Sequence, residues 1–220
     1  YGSKSPATIL QRSEMCCDRL IAEGTKAIVV ACNTATAAAV QQLRSHHRLP
    51  IIAMEPAIKP AVASTRSGRI GVLATEGTLS SEKYERLLRQ HARNVIVFSQ
   101  PCHGLVEEIE KGDFASPVLR QLLQSFIAPL LEQQVDTLIL GCTHYPLIRP
   151  LIAELAGDEI EIVDSGSAVA RRVHQQLQDH QLLNPHSVSQ PWRCWTSGDP
   201  QKQQPLIQRL IDHPFELHSF

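Results

Sequence analysis

Short, unbroken apolar runs alternate along this chain with stretches whose apolar residues recur every three or four positions. The runs at 27–31, 51–54, 70–74, 95–98 and 138–140 are too short for amphipathic helices and read as strands, as does Glu161–Val163. The 27–31 and 138–140 runs carry no alternating polar positions, as expected of central strands of a parallel sheet covered on both faces. The stretches between them read as helices. Ser5-Pro6 supplies a cap and first helical position, Leu10, Cys17, Leu20 and Ile21 give a stripe, and Gly24 ends it. Further helices are predicted at 35–43, 81–92, 106–111, 147–156 and 166–178, the last capped by Ser165. Two more begin at Ser116-Pro117, running through Leu131 with a kink at Pro129, and at Asp199-Pro200. Glu55-Pro-Ala-Ile-Lys-Pro60 reads as a crossing linker, and Trp192–Trp195 and Phe215–Phe220 as late strands. This alternation predicts the α/β class with parallel sheets.

Two of the strands break off in the same way. Ala27-Ile-Val-Val-Ala-Cys-Asn-Thr-Ala35 and Thr137-Leu-Ile-Leu-Gly-Cys-Thr-His-Tyr-Pro146 each run from apolar residues through one small residue to a cysteine, then to amide and hydroxyl side chains. Cys32 and Cys142 therefore fall at the carboxyl ends of strands, where open α/β sheets place their ligands. Ala31 and Gly141 allow close approach to the backbone. The helix after Cys32 points positive potential at the site, favouring a thiolate and attracting a carboxylate. A lone cysteine is most often a small buried hydrophobe. Two in matching contexts point to a pair acting on one substrate, a thiolate taking a proton from one side of a carbon acid while a thiol gives one from the other.

Around the pair, Asn33, Thr34 and Thr143 offer neutral donors, and neither motif contains Arg or Lys. Thr75 and Thr78, with the Gly77 turn, offer hydroxyls and backbone donors after another strand; the plain reading of that stretch is a strand-to-helix turn. His144 lies two residues beyond Cys142, on the same side if the segment is extended, and is placed to polarise the thiol or relay its proton.

Composition narrows the classes. With 21 basic and 22 acidic residues mixed along 220 positions, the chain has no basic block for nucleic acid or an anionic membrane. No apolar run approaches the roughly 20 residues that span a bilayer. The six cysteines form no Cys-x-x-Cys pair, which fits reduced thiols and a cytoplasmic setting. Cys16, Cys17 and Cys194 read as structural. Cys142 and His144 supply only two ligands for a metal, and a cysteine hydrolase would leave the second cysteine motif unexplained.

Ala31-Cys-Asn-Thr-Ala35 and Gly141-Cys-Thr-His-Tyr-Pro146 resemble the two signature motifs of glutamate racemase, in the aspartate/glutamate racemase superfamily. Tyr1-Gly2-Ser3-Lys4-Ser5 resembles the family's substrate-loop segment, and Ala57-Ile-Lys-Pro60, Gly71–Thr78 and Val163-Asp-Ser-Gly166 also fit. The resemblance covers nearly the whole chain. It implies a cofactor-free, metal-free racemase interconverting L- and D-glutamate, with aspartate as the alternative substrate. Cys32 and Cys142 are then acid and base, and Glu110 is a further glutamate near the site, although charge alone would make it part of a solvated face. Tyr1 and Gly2 join Asn33, Thr34, Thr75, Thr78, Thr143 and His144 as substrate contacts. It implies two parallel-sheet three-layer domains in pseudo-symmetric arrangement, residues 1–55 plus 165–220 and residues 56–164, with the cysteines facing across the cleft. A homodimer is compatible with it. It also implies a preceding strand and an Asp-Ser-Gly-Val-Gly-Gly loop whose Asp assists the first cysteine. The chain starts after that loop, so a fragment of reduced activity and stability is expected. Asp164-Ser165-Gly166 shares letters with the loop but lies between a late strand and a helix, and is not assigned its role.

Overall fold

The computed structural model describes residues 1–185 and 190–220. In chain order the elements are α1 (Pro6–Ala22), β1 (Ile28–Val30), α2 (Asn33–His46), β2 (Ile51–Ala53), α3 (Ile58–Ser64), β3 (Arg69–Ala74), α4 (Glu76–Leu79), α5 (Glu82–His91) and β4 (Ile96–Pro101). There follow α6 (Leu105–Glu110), α7 (Pro117–Glu132), β5 (Thr137–Leu140), a 3-10 turn (Tyr145–Ile148), α8 (Arg149–Ala156), β6 (Glu161–Val163), α9 (Gly166–Asp179), β7 (Trp192–Thr196), α10 (Pro200–Leu210) and β8 (Phe215–Ser219).

The largest sheet has the order β4-β3-β5-β6, and every pairing in it is parallel. Its two central strands show why they read as continuous apolar runs. Leu73, Leu138 and Leu140 pack with Leu105, Leu119 and Leu123 of α6 and α7 on one face. Ile70, Val72 and Ile139 pack with Ile58, Ala61 and Tyr84 of α3 and α5 on the other. Side chains alternate between faces, but both faces are dry, so no polar position appears. The result is a three-layer α/β/α unit.

Strands β1 and β2 form a second parallel pair. Ile28, Val30 and Ile51 are buried against Ile9 and Cys17 of α1 and Val40 and Leu43 of α2. Leu43 has no exposed surface, so Leu43→Ala would cost about 2–5 kcal/mol. Val29 points to the uncovered side and is 39% exposed. β7 and β8 form a third parallel pair. The two cysteine-bearing units match in construction: β1-α2-β2 and β5-α8-β6 each carry a cysteine just after the first strand and pair that strand in parallel with the next.

Several local readings need correction. The segment 55–60 is not wholly a linker, because α3 starts at Ile58 and takes in Lys59 and Pro60. Pro60 is tolerated there since the first helical turn has no N–H partners to lose. Gly77 and Thr78 lie in the short helix α4 rather than in an open turn. Ser165 does not cap α9 with its side chain; it donates to the Glu55 carbonyl oxygen instead. On α1 the buried positions are Ile9, Ser13 and Cys17, and Ile21 is exposed. Burial of Ser13 is tolerated because its hydroxyl donates to the Ile9 carbonyl at 2.8 Å. α7 continues through Pro129 to Glu132. Ser5, Ser116 and Asp199 cap α1, α7 and α10 as their Ser-Pro and Asp-Pro pairs predict.

Candidate active site

The carboxyl ends of β1, β3 and β5 open onto one cavity of about 580 Å3, within the range of small-molecule sites. Cys32, Asn33 and Thr34 enter it from β1, Thr75 and Thr78 from β3, and Cys142, Thr143 and His144 from β5. Tyr1 and Gly2 close another side. Every residue expected to act as a catalytic group or substrate contact lines this space except Glu110, which reaches it through His144.

Cys32 is the N-cap of α2, and its sulfur accepts the Ala35 N–H at 3.4 Å. A cap residue is normally Ser, Thr, Asp or Asn; a cysteine here places its sulfur in the positive field of a helix end. Cys142 is half-buried, and burial pushes its thiol up to about 11, against the opposing pull of the His144 and Tyr145 backbone N–H groups. A charge on Cys32 raises it further, so the two sulfurs feel each other across the cavity.

Gly141 explains how the second cysteine comes so close to β3. A Cβ at that position would lie 2.9 Å from Ala74 Cβ and 3.0 Å from the Leu73 carbonyl oxygen. What approaches the small residue is the neighbouring strand. Asn33 then joins the two cysteine loops: its Nδ2 donates to the Gly141 carbonyl at 2.7 Å, while its buried Oδ1 has no protein partner. Thr34, Thr75 and Thr78 form a triangle of hydroxyls with sides of 2.9, 3.1 and 3.1 Å. Each hydroxyl has one proton to donate, so one of the three can turn to a bound oxygen at the loss of one internal bond. Gly2 lies against this triangle, since a Cβ there would meet Thr75 Cβ at 2.8 Å.

His144 stands in a helical turn rather than in an extended segment, with φ −78° and ψ −32°. The turn nevertheless brings its Nδ1 to 3.9 Å from Cys142 Sγ. Its Nε2 lies 3.0 Å from Glu110 Oε1. Glu110, His144 and Cys142 thus form a line from the end of α6 to the cavity. A carboxylate on the far nitrogen fixes the ring's orientation and tautomer.

Sequence reasoning did not pick out Cys102, His103, Glu76 or Glu107, which also line the cavity. Cys102 is buried, its thiol pushed up to about 12 by that burial, and it reads as packing. His103 and Glu76 are 3.6 Å apart at the rim. Glu107 lies one helical turn before Glu110, a spacing that puts both on one side of α6. Asp164 lies outside this group; it accepts from Arg149 at 2.8 Å and from the Gly166 N–H at 2.8 Å. Among the described residues no cluster of three or more His, Cys, Asp or Glu side chains is arranged to hold a metal, and no helix is long and apolar enough to cross a membrane.

The sequence profile of the Asp/Glu/Hydantoin racemase family matches residues 3–173. A glutamate racemase of Ectopseudomonas mendocina is 48% identical over 100% of this chain and 84% of its own length. The crystal structure of a glutamate racemase isoform from Bacillus anthracis superposes with a TM-score of 0.88 at 29% identity, covering 100% of this chain and 83% of that one. The Escherichia coli glutamate racemase, solved in complex with L-glutamate and the activator UDP-MurNAc-ala, gives 0.84 at 29% identity, with 100% and 83% covered.

Proposed function

This chain belongs to the Asp/Glu/Hydantoin racemase family, and we propose that it interconverts L- and D-glutamate with Cys32 and Cys142 as the two acid–base groups. The observation that carries the reading is the placement of both strand-end cysteines on one cavity. The relatives support the substrate: the 48% identical protein is a glutamate racemase, and the Escherichia coli neighbour was crystallised with L-glutamate.

The chemistry follows from the arrangement. One cysteine, as thiolate, removes the hydrogen from Cα; the electron pair left on carbon spreads into the α-carboxylate. The opposite cysteine, as thiol, delivers its proton to the other face. The product has inverted configuration, and the two sulfurs have exchanged protonation states. The elevated Cys142 thiol is suited to start as the donor. The hydroxyl triangle and the helix starts at α2 and α4 offer donors to the carboxylate as charge builds on it. The cavity lining contains no Arg or Lys, and Glu76 and Glu107 at its edge suit the substrate ammonium. His144 and Glu110 serve the second cysteine by orienting an imidazole against its sulfur.

This reading includes a division into residues 1–55 plus 165–220 and residues 56–164 around the cavity. The D-glutamate would be made in the cytoplasm for peptidoglycan synthesis, and a homodimer is compatible with this reading. The test is turnover of L- and D-glutamate by the purified chain, followed by chiral chromatography, with L- and D-aspartate as comparators. Faster turnover of aspartate would reassign the substrate, and turnover of neither would leave a site that only binds.

A further inference from the structure

The last helix, α10, touches the site from outside. None of its side chains is buried, yet it is tied to the end of α6 at a point 97 residues away in sequence: Arg209 Nη1 donates to the Gly112 carbonyl at 2.7 Å. Gly112 is the left-handed residue just past α6, with φ +75°, and its N–H returns to the Ile109 carbonyl at 3.0 Å. Such a glycine closes a helix, but its own carbonyl points away and needs a partner. Arg209 supplies it. On the same side Leu206 of α10 packs close enough that a Cβ on Gly112 would sit 3.3 Å from its Cδ1.

Glu110 is two residues before that carbonyl. Its side chain is 60% exposed, and its Oε1 lies 3.0 Å from His144 Nε2. Beside it lies a cavity of about 370 Å3 bounded by Glu110, His144, Leu147, Leu206 and Leu210. The backbone beneath this carboxylate sets the point from which it can reach His144. Two lysines line the same cavity, Lys202 of α10 and Lys111, the latter bonding Glu108 at 2.5 Å.

We propose that Arg209 is a positioning residue for the second cysteine: by holding the Gly112 carbonyl it sets Glu110, and through Glu110 the imidazole beside Cys142. The last helix would then govern one half of a two-base reaction while making no contact with the substrate. The inference rests on the racemase reading for its kinetic consequences, but the geometry it describes is measurable without turnover.

The test is a double-variant cycle of Arg209→Ala and Glu110→Gln, with Arg209→Lys as the conservative replacement. The effect expected of Arg209→Ala is about tenfold on kcat, since an error of about 1 Å in a reacting geometry costs on the order of 100-fold. The loss should fall in the same direction of turnover that Glu110→Gln slows, and the opposite direction should change less. Added to Glu110→Gln, Arg209→Ala should cost less than about twofold more, because both act through one carboxylate. Arg209→Lys, which keeps a donor, should recover most of the rate. In parallel, the ring signals of His144 in proton–nitrogen NMR spectra should move in Arg209→Ala toward their positions in Glu110→Gln. If Arg209→Ala does not fold, Arg209→Gln takes its place under the same criteria. Independent, multiplying losses, equal loss in both directions, or His144 signals that stay where they are in the unaltered protein would each overturn the proposal. The NMR arm decides even if the unaltered chain turns over no glutamate, an outcome that would count against the racemase reading alone.

Discussion

Asn33 Nδ2 donates to the carbonyl oxygen of Gly141 at 2.7 Å, so the residue after one cysteine is bonded to the residue before the other. The distance between the sulfurs is thereby set by a bond buried at the floor of the site, 108 positions apart in sequence. Asn33→Ala removes the donor and leaves a buried carbonyl without a partner, which costs about 1–3 kcal/mol. It also frees the two loops to drift. The expected outcome is a lower Tm together with a loss of kcat/KM on the order of 10- to 100-fold, measured by thermal unfolding and racemisation on the same preparations. Unchanged values of both would show that the loops are held by other means.

The line from Glu110 through His144 to Cys142 serves only one sulfur. Glu110→Gln and His144→Asn should therefore depress kcat more in one direction than in the other. Racemisation has an equilibrium constant fixed by symmetry, so the ratio of kcat/KM in the two directions cannot change, and KM must shift to match. Full progress curves from each enantiomer read this out. Equal loss of kcat in both directions would reduce His144 to a substrate contact.

The two thiols should also differ toward an alkylating reagent. Burial pushes the Cys142 thiol up to about 11, whereas the Cys32 sulfur accepts the Ala35 N–H at the start of α2. Only the thiolate reacts. Iodoacetamide at neutral pH should therefore modify Cys32 well before Cys142, and the Cys142 rate should climb about tenfold per pH unit up to pH 9. Peptide mapping separates both from exposed Cys16. Faster labelling of Cys142 would contradict the assignment of the resting proton to it.

Asp136 anchors the turn that precedes β3. Burial raises its carboxyl, but this is outweighed by donors: Thr65 Oγ1 at 2.5 Å, the Ser67 N–H at 2.6 Å, Thr137 Oγ1 at 2.9 Å and the Arg66 N–H at 2.7 Å hold it well below the usual carboxylate range. A depressed carboxyl contributes stability above the unfolded value near 3.9, and that stability is lost as pH falls toward the folded value. Asp136→Asn should thus cost about 1–3 kcal/mol at pH 7. The gap in Tm between the two proteins should shrink as pH falls from 5 to below 3. A gap that does not change with pH would show that the carboxylate's charge is irrelevant.

The strands and both cysteine loops were legible because their signals are local. Ile70, Val72 and Ile139 face one layer and Leu73, Leu138 and Leu140 the other, and burial on both sides leaves an uninterrupted apolar run. Pro60 misled because proline marks a break in most contexts, and its tolerance in a first helical turn depends on where the helix starts. His144 reaches Cys142 through a turn and not through strand geometry, so the contact was expected for a reason the backbone does not bear out. Glu107, Cys102 and the tie from Arg209 to Gly112 depend on packing between segments far apart in the chain, and no local spacing encodes them.

The central claim is that one sulfur works on each face of Cα. It is tested most directly by running the reaction in deuterium oxide from pure L- and from pure D-glutamate and sampling at low conversion. Product formed in either direction should carry deuterium at Cα while recovered substrate remains unlabelled, because the group that removes the hydrogen is not the group that replaces it. Cys32→Ser and Cys142→Ser should each lower this turnover by orders of magnitude, serine being a far weaker acid and base at this task. Product that retains the substrate's own hydrogen, label appearing equally in recovered substrate, or near-normal turnover in either serine variant would contradict it.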